Sequence, residues 1–172
     1  MLKLLGAILI IGSGGALGLS AQQGLRARIA AIDGFLKALE CIESEITYRL
    51  TPCGELISQL AAEGDPHTAP VFRRLAAWLE RNDGLSLAYK WRRAFQEQGP
   101  ACGMRTEEIG ILCDAASFLG RYDSEQQRRA LRLLSTRLSG VRDEAAEDLK
   151  NKGSLYRTCG LTLGVLAVIV LL

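Results

Sequence analysis

The sequence predicts an all-α protein, a helical bundle of about six helices with a transmembrane helix at its N-terminus and another at its C-terminus. Three observations predict this fold class. Both ends of the 172-residue chain are uncharged apolar runs. Between them, apolar residues recur in steps of three and four, which places them on one face of a helix. No run of alternating β-branched residues indicates a strand.

The first apolar run, residues 1–21, is expected to cross a membrane. It holds 18 consecutive uncharged residues, Leu4 to Ala21, and a helix of that length spans roughly 27 Å, close to the hydrocarbon core of a bilayer. The glycines of GSGGALGLS (12–20) lack the spacing of dinucleotide-binding loops and the lysine of ATP-binding loops. A cleaved signal peptide is the alternative, because Lys3 comes before the uncharged residues and LSA (19–21) ends them just before Gln22.

The second run, residues 158–172, is expected to be the other transmembrane helix, although its 15 residues are few for a full span. Lys150, Lys152 and Arg157 precede this run and no basic residue follows it. Basic residues accumulate on the cytoplasmic side of membrane helices. The order of charges therefore predicts that the middle of the chain lies in the cytoplasm.

Each predicted span contains two glycines four residues apart, Gly14 with Gly18 and Gly160 with Gly164. Small residues at this spacing let membrane helices approach closely, so these four are candidate packing positions. Glycine is also common in membrane helices generally, and the pattern does not separate the two explanations.

Residues 22–157 form the predicted cytoplasmic α-helical domain, which is long enough for a single core. The segment carries 20 basic and 19 acidic residues. This balance gives no reason to expect nucleic acid as a partner.

The first helix of this domain and the turn after it are predicted from spacing and capping chemistry. Thr51 is expected to cap the second helix and Pro52 to occupy its first turn. The first helix presents one apolar stripe: Leu25, Ile29, Ile32, Leu36, Leu39, Ile42, Ile46 and Leu50. The second is short and turns Leu56, Ile57 and Leu60 inward.

Glycines and prolines divide the middle of the domain. Residues 63–70 are predicted to be a loop. Three further helices are predicted after it, at 71–82, at 86–98 beginning with Ser86, and at 106–120. The last helix is predicted to begin at Asp123, which with Gln126 has the spacing of a capping box. Its stripe continues towards the second span: Leu131, Leu134, Leu138, Val141, Ala145 and Leu149.

The residues that carry chemistry are sparse, and we expect no catalytic residue, metal site or cofactor. The single histidine, His67, lies in a loop, and no two of the five cysteines have C-x-x-C spacing. Acidic clusters on helices are usually solvated faces, although a metal-dependent enzyme that uses them remains an alternative. The paired arginines at 73–74, 92–93 and 128–129 are either solvated surface or contacts for an acidic partner.

Several short stretches together resemble the stage III sporulation protein AB family. In IESEITYRLTP (42–52), Glu43, Glu45, Tyr48, Thr51 and Pro52 stand at the family's positions. The turn SFLGRYDSEQQ (117–127) matches through Arg121 and Asp123, and both termini match as well. The combination is more specific than any one piece.

The resemblance implies a non-enzymatic platform protein of endospore formation, in the mother-cell membrane around the forespore and similar to the platform proteins of type II secretion and type IV pilus systems. The implied partners are the stage III sporulation protein AA ATPase and the other stage III sporulation A channel proteins, and the chain is a possible homo-oligomer. The matching residues would dock a partner or cap helices. A generic membrane-anchored scaffold or adaptor is the alternative.

Overall fold

The computed structural model describes residues 2–46, 51–81, 83–119 and 124–171, and the side chains within them except those of 2–19, 21, 124, 152–161 and 163–171. Within these ranges the protein is all-α, as predicted, with six α-helices and no strand. The helices are α1 (Leu2–Ser44), α2 (Cys53–Glu63), α3 (Ala69–Leu79), α4 (Leu87–Gln98), α5 (Thr106–Ala115) and α6 (Ser124–Leu171), with a 3₁₀ turn at Pro100–Cys102.

The chain divides into two compact units. One comprises Met1–Arg26 with Glu144–Leu172, and the other comprises Ala27–Asp143. We call the second of these the helical unit. It contains the hydrophobic core of the protein, to which every α-helix from α1 to α6 contributes buried residues.

Four aromatic side chains form the centre of the helical unit. Phe35 of α1 packs against Phe72 of α3 and Phe95 of α4, with ring centroids 5.9 and 5.3 Å apart. Trp91 stacks on Phe95 at 5.0 Å, and its indole N–H donates to the carbonyl of Leu112 in α5 at 2.8 Å. All four rings are at most 1% exposed. The rings belong to α1, α3 and α4, and the hydrogen bond of Trp91 adds α5, so the cluster joins four helices.

The predicted apolar stripes are largely confirmed. The stripe predicted for the first helix is buried at Ile32, Leu39 and Ile42 of α1 and at Ile46 just after it, and Leu36 packs against the core from its edge. On α6 the inward residues are Leu131, Leu134, Leu138, Val141 and Ala145, all 7% exposed or less. A three-and-four spacing is sufficient to identify these faces because a helix returns to the same side every 3.6 residues.

Helix boundaries differ from the prediction at three places. The helix predicted at 71–82 ends at Leu79. The loop expected at 63–70 ends earlier, because α3 begins at Ala69 with Pro70 in its first turn, where a proline leaves no hydrogen bond unmade. The helix expected to reach residue 120 ends at Ala115, and residues 116–119 form turns. The cap predicted at Asp123 lies outside the described residues.

Among the described residues, no helix combines the length and the apolar character that crossing a bilayer requires. The spans predicted at 1–21 and 158–172 fall mostly on residues whose side chains lie outside the described part of the chain.

Replacing Gly34 with alanine should destabilise the helical unit. A Cβ at this position of α1 would lie 2.8 Å from Cγ2 of Thr68 and 3.2 Å from Cγ of Asp65, in the loop before α3. Thr68 is 1% exposed, so it has little room to move. We expect Gly34→Ala to lower the free energy of unfolding by about 1–2 kcal/mol, since overpacking outweighs the gain in helix propensity.

Urea unfolding of the full-length chain measures this effect, and Gly110→Ala on α5 is the matched control. A Cβ on Gly110 meets nothing within 4 Å, so that variant should gain up to about 1 kcal/mol. Equal stability of the two variants would contradict the close approach at Gly34.

Candidate functional site

The predicted docking residues near the end of α1 are tied into the fold. Oε1 of Glu43 accepts a hydrogen bond from Nε of Arg132 in α6 at 2.6 Å. The Glu43 side chain is 19% exposed, whereas that of Arg132 is 65% exposed. Glu43 therefore joins α1 to α6, and the arginine is the member of the pair that solvent or a partner reaches.

Thr51 does not cap α2 as predicted. Its hydroxyl donates to Oε2 of Glu45 at 2.7 Å, and α2 has no side-chain hydrogen bond at its N-cap. The N-cap position itself is Pro52, whose carbonyl accepts from the N–H of Leu56 at 3.1 Å. The hydroxyl bonds to the carboxylate at the end of α1 because a charged acceptor makes the stronger hydrogen bond.

The other predicted site residues lie partly or wholly outside the described residues. Tyr48, Arg121 and Asp123 belong to the segments 47–50 and 120–123, which the structure does not describe. The four glycines of the predicted spans belong to the helical backbones of α1 (Gly14 and Gly18) and α6 (Gly160 and Gly164), but what surrounds them is outside the described part. Their proposed roles stay predictions.

A buried ion pair that the sequence analysis missed fixes the start of α5. Arg28 of α1 is 6% exposed and Glu108 of α5 is fully buried. Nε of Arg28 donates to Oε1 of Glu108 at 2.6 Å, and the N–H of Arg105 donates to Oε2 at 2.9 Å. Both carboxylate oxygens are thus satisfied, as burial of a charge requires.

The spacing of apolar residues could have identified this pair. Glu108 precedes the buried Leu112 by four residues, and Arg28 precedes the buried Ile32 by four. Each charged residue therefore lies on the inward stripe of its own helix. Two opposite charges on inward stripes of different helices indicate a paired, buried contact.

Helices α3 and α4 present a surface of arginines and aromatic residues. The guanidinium carbons of Arg74 in α3 and of Arg81, which follows the end of α3, lie 5.4 and 5.0 Å from the ring centroid of Trp78. On α4, Glu97 accepts from Nε of Arg74 at 2.8 Å and from Nε of Arg93 at 2.7 Å. We call the set Arg74, Trp78, Arg81, Leu85, Tyr89 and Arg93 the α3–α4 arginine surface.

Ion pairs lower the pKa values of two carboxyl groups beside this surface. The hydrogen bond from Arg74, assisted by Arg93, lowers the pKa of Glu97. Lys90 lowers the pKa of Asp83 by its hydrogen bond, and Nζ of Lys90 also donates to the carbonyl of Arg81 at 2.7 Å. Both carboxylates are thus held in their charged form by internal cations.

The described residues contain no group of three or more histidine, cysteine or acidic side chains that could hold a metal ion. His67 is exposed, and its backbone N–H donates to Asp65 at 2.9 Å. Cys53, Cys102 and Cys113 are free thiols, and burial raises the pKa of each. A raised thiol pKa leaves less of the nucleophilic thiolate at neutral pH.

Comparison with known proteins assigns the chain to a family. The model of the stage III sporulation protein AB family matches residues 3–172. The chain belongs to the stage III sporulation protein AB family. Its sequence is 23% identical to stage III sporulation protein AB of Bacillus subtilis (strain 168) over 172 residues, covering all of both chains.

The fold of this stage III sporulation protein AB family member also matches a solved structure of the family. That structure, stage III sporulation protein AB, is similar with a TM-score of 0.65 at 21% identity, over 72% of this chain and 96% of the other. At this identity the likeness concerns the fold. The resemblance noted from the sequence is confirmed, and the chain is a sporulation protein by family.

Proposed function

We propose that this stage III sporulation protein AB family member is a non-enzymatic platform protein of the channel complex between mother cell and forespore. It would couple a stage III sporulation protein AA-type ATPase to the membrane ring proteins of that complex. The observation that carries the proposal is the family match over residues 3–172. Membrane attachment, with the central domain in the cytoplasm, is part of the proposal and rests on the sequence: two uncharged terminal runs and basic residues before the second.

The helical unit suits a protein that couples one binding partner to another. Its helices are joined by ion pairs that link distant parts of the chain. Arg28 pairs with Glu108, Glu43 with Arg132 and Asp33 with Arg142. The two pairs on α6 hold it to α1 at both ends of their common segment. Such a unit can present residues to a partner without rearranging its own core.

Co-purification from sporulating cells tests the proposal. The full-length chain, tagged and extracted in mild detergent, should retain the stage III sporulation protein AA-type ATPase of the same organism. Recovery of the chain from the membrane fraction without the ATPase would favour the generic scaffold. Recovery from the fraction that needs no detergent would remove the membrane part of the proposal.

A double charge reversal, Arg121→Glu with Asp123→Lys, separates docking from helix capping by residues 120–123. If these residues dock the ATPase, the variant should fold normally and lose the co-purified ATPase. If they cap the last helix, thermal unfolding should occur at lower temperature. An unchanged variant in both measurements would remove Arg121 and Asp123 from the set of docking residues.

A further inference from the structure

We propose that the α3–α4 arginine surface binds an acidic segment of a partner protein. Carboxylates of that segment would pair with Arg81 and Arg93 beside Trp78, and apolar side chains of the segment would rest on Leu85 and Tyr89. This proposal adds a binding surface, and the chemistry of its partner, to the platform role. In that respect it rests on the function proposed above.

The first support is the distribution of charge. Residues 69–98 carry six basic and three acidic side chains, although the whole chain carries only two more basic than acidic residues. Two of those three acids are already paired internally, Glu97 with Arg74 and Arg93, and Asp83 with Lys90. The surface is therefore positive on a nearly neutral protein, and an acidic partner is the complement.

Arg81 is the clearest free cation of this set. Its side chain is exposed, and no carboxylate among the described residues pairs with it. Its guanidinium lies over Trp78 instead, 5.0 Å from the ring centroid. A guanidinium held against a ring keeps its in-plane N–H donors available for a carboxylate.

The second support is an unpaired donor beside this cation. Nε1 of Trp78 is buried and has no hydrogen-bond partner among the described residues. A buried donor without an acceptor destabilises the folded state by about 1–3 kcal/mol. The other tryptophan, Trp91, has its N–H paired with a carbonyl. We expect the carboxylate that pairs with Arg81 to supply the missing acceptor to the Trp78 N–H.

The third support is the exposed apolar area next to these charges. Three large hydrophobic residues are exposed among the described residues: Leu85 at 43%, Tyr89 at 49% and Leu133 at 63%. Two of them belong to this surface. Tyr89 precedes Arg93 and Glu97 by four and eight residues, so all three share one face of α4. Aromatic residues and arginine are the types that dominate binding energy at interfaces.

Indole NMR of the full-length chain in detergent tests the proposal, because the two tryptophans give two N–H signals. The probe is a synthetic amphipathic peptide of glutamate and leucine at helical spacing, with a glutamine-for-glutamate peptide as control. We expect the acidic peptide to shift the Trp78 signal and leave the Trp91 signal in place. No Trp78 shift, or an equal shift with the neutral peptide, would overturn the proposal. So would a shift produced by single-stranded RNA and not by the peptide.

Two exposed arginines provide matched variants. Arg81→Glu should weaken peptide binding at least about tenfold, because it replaces the cation that pairs with the peptide by a charge that repels it. Arg129 on α6 is 77% exposed and pairs only with the neighbouring Glu125 among the described residues. Arg129→Glu makes the same change in charge and should leave the affinity within about twofold. Equal losses would mean non-specific attraction and would contradict a defined site.

The two proposals fail separately. If the ATPase co-purifies with the wild-type chain and the peptide does not shift Trp78, the docking surface is wrong and the platform role stands. If the peptide binds and the ATPase does not co-purify, the platform role is wrong and the surface stands.

Discussion

Replacing Glu108 with glutamine is expected to lower the free energy of unfolding by about 3–5 kcal/mol, because it leaves the buried cation of Arg28 without its counter-ion. Arg28 is 6% exposed and Glu108 is fully buried. A guanidinium does not lose its proton at any ordinary pH, so it cannot become neutral. Glutamine keeps the size of the side chain and one acceptor oxygen for the N–H of Arg105, but its amide group then turns N–H donors towards Arg28 in place of an acceptor.

Urea unfolding of the full-length chain in detergent, followed by near-ultraviolet circular dichroism, measures this effect. Glu43→Gln is the matched control. It removes the same charge from the pair with Arg132, whose side chain is 65% exposed, and should cost no more than about 1 kcal/mol. Equal costs in the two variants would show that burial of the Arg28 pair has no energetic consequence.

A double variant separates the loss of a charge from the loss of packing. Arg28→Met with Glu108→Leu removes both charges and keeps apolar volume at both positions. It should recover most of the stability that Glu108→Gln loses, since buried ion pairs are often replaced by apolar pairs at little cost. A double variant as unstable as Glu108→Gln would contradict the unpaired charge of Arg28 as the cause of the loss.

Replacing Phe95 with alanine is expected to cost about 3–5 kcal/mol, because it leaves a cavity at the centre of the aromatic cluster. The ring is fully buried and lies 5.3, 6.3 and 5.0 Å from the rings of Phe35, Phe72 and Trp91. Those three rings come from three different helices. They cannot collapse into the gap together without shifting the helices that carry them.

The same unfolding experiment measures the variant, and Tyr89→Ala on the same helix is its control. Tyr89 is 49% exposed, so its replacement should change the stability by about 0.5 kcal/mol or less. The near-ultraviolet signal of Phe95→Ala should also weaken before urea is added, because Trp91 loses its stacking partner. A stability loss no larger than that of Tyr89→Ala would contradict the central position of Phe95.

Most of the fold could be predicted from spacing alone. The stripe from Ile32 to Ile46 and the stripe from Leu131 to Ala145 are inward in the structure as expected. Prolines and glycines gave the approximate ends of α2, α3 and α4. The errors lie at the ends of helices, as at Pro70 and Ala115, where a proline or a small residue is compatible with more than one backbone path.

The candidate site was harder to predict from the sequence than the fold. Thr51 has the chemistry of a helix cap, but the structure places Glu45 2.7 Å from its hydroxyl. The arginine pair at 73–74 could be recognised in the sequence as charge, but the position of Arg74 over Trp78 was not predicted. Contacts of this kind join residues that are four, six or more than twenty positions apart, and propensity carries no information about which of them meet.

The sequence by itself determined that the protein is helical, which faces of its long helices are buried, and the family to which it belongs. Periodicity and short motifs involve residues close together in the chain, so they can be recognised in a single sequence. Only the tertiary structure decided that Arg28 is buried against Glu108, 80 positions away, and that Arg74 of α3 pairs with Glu97 of α4. Those facts depend on how helices pack, and packing is a property of the whole core.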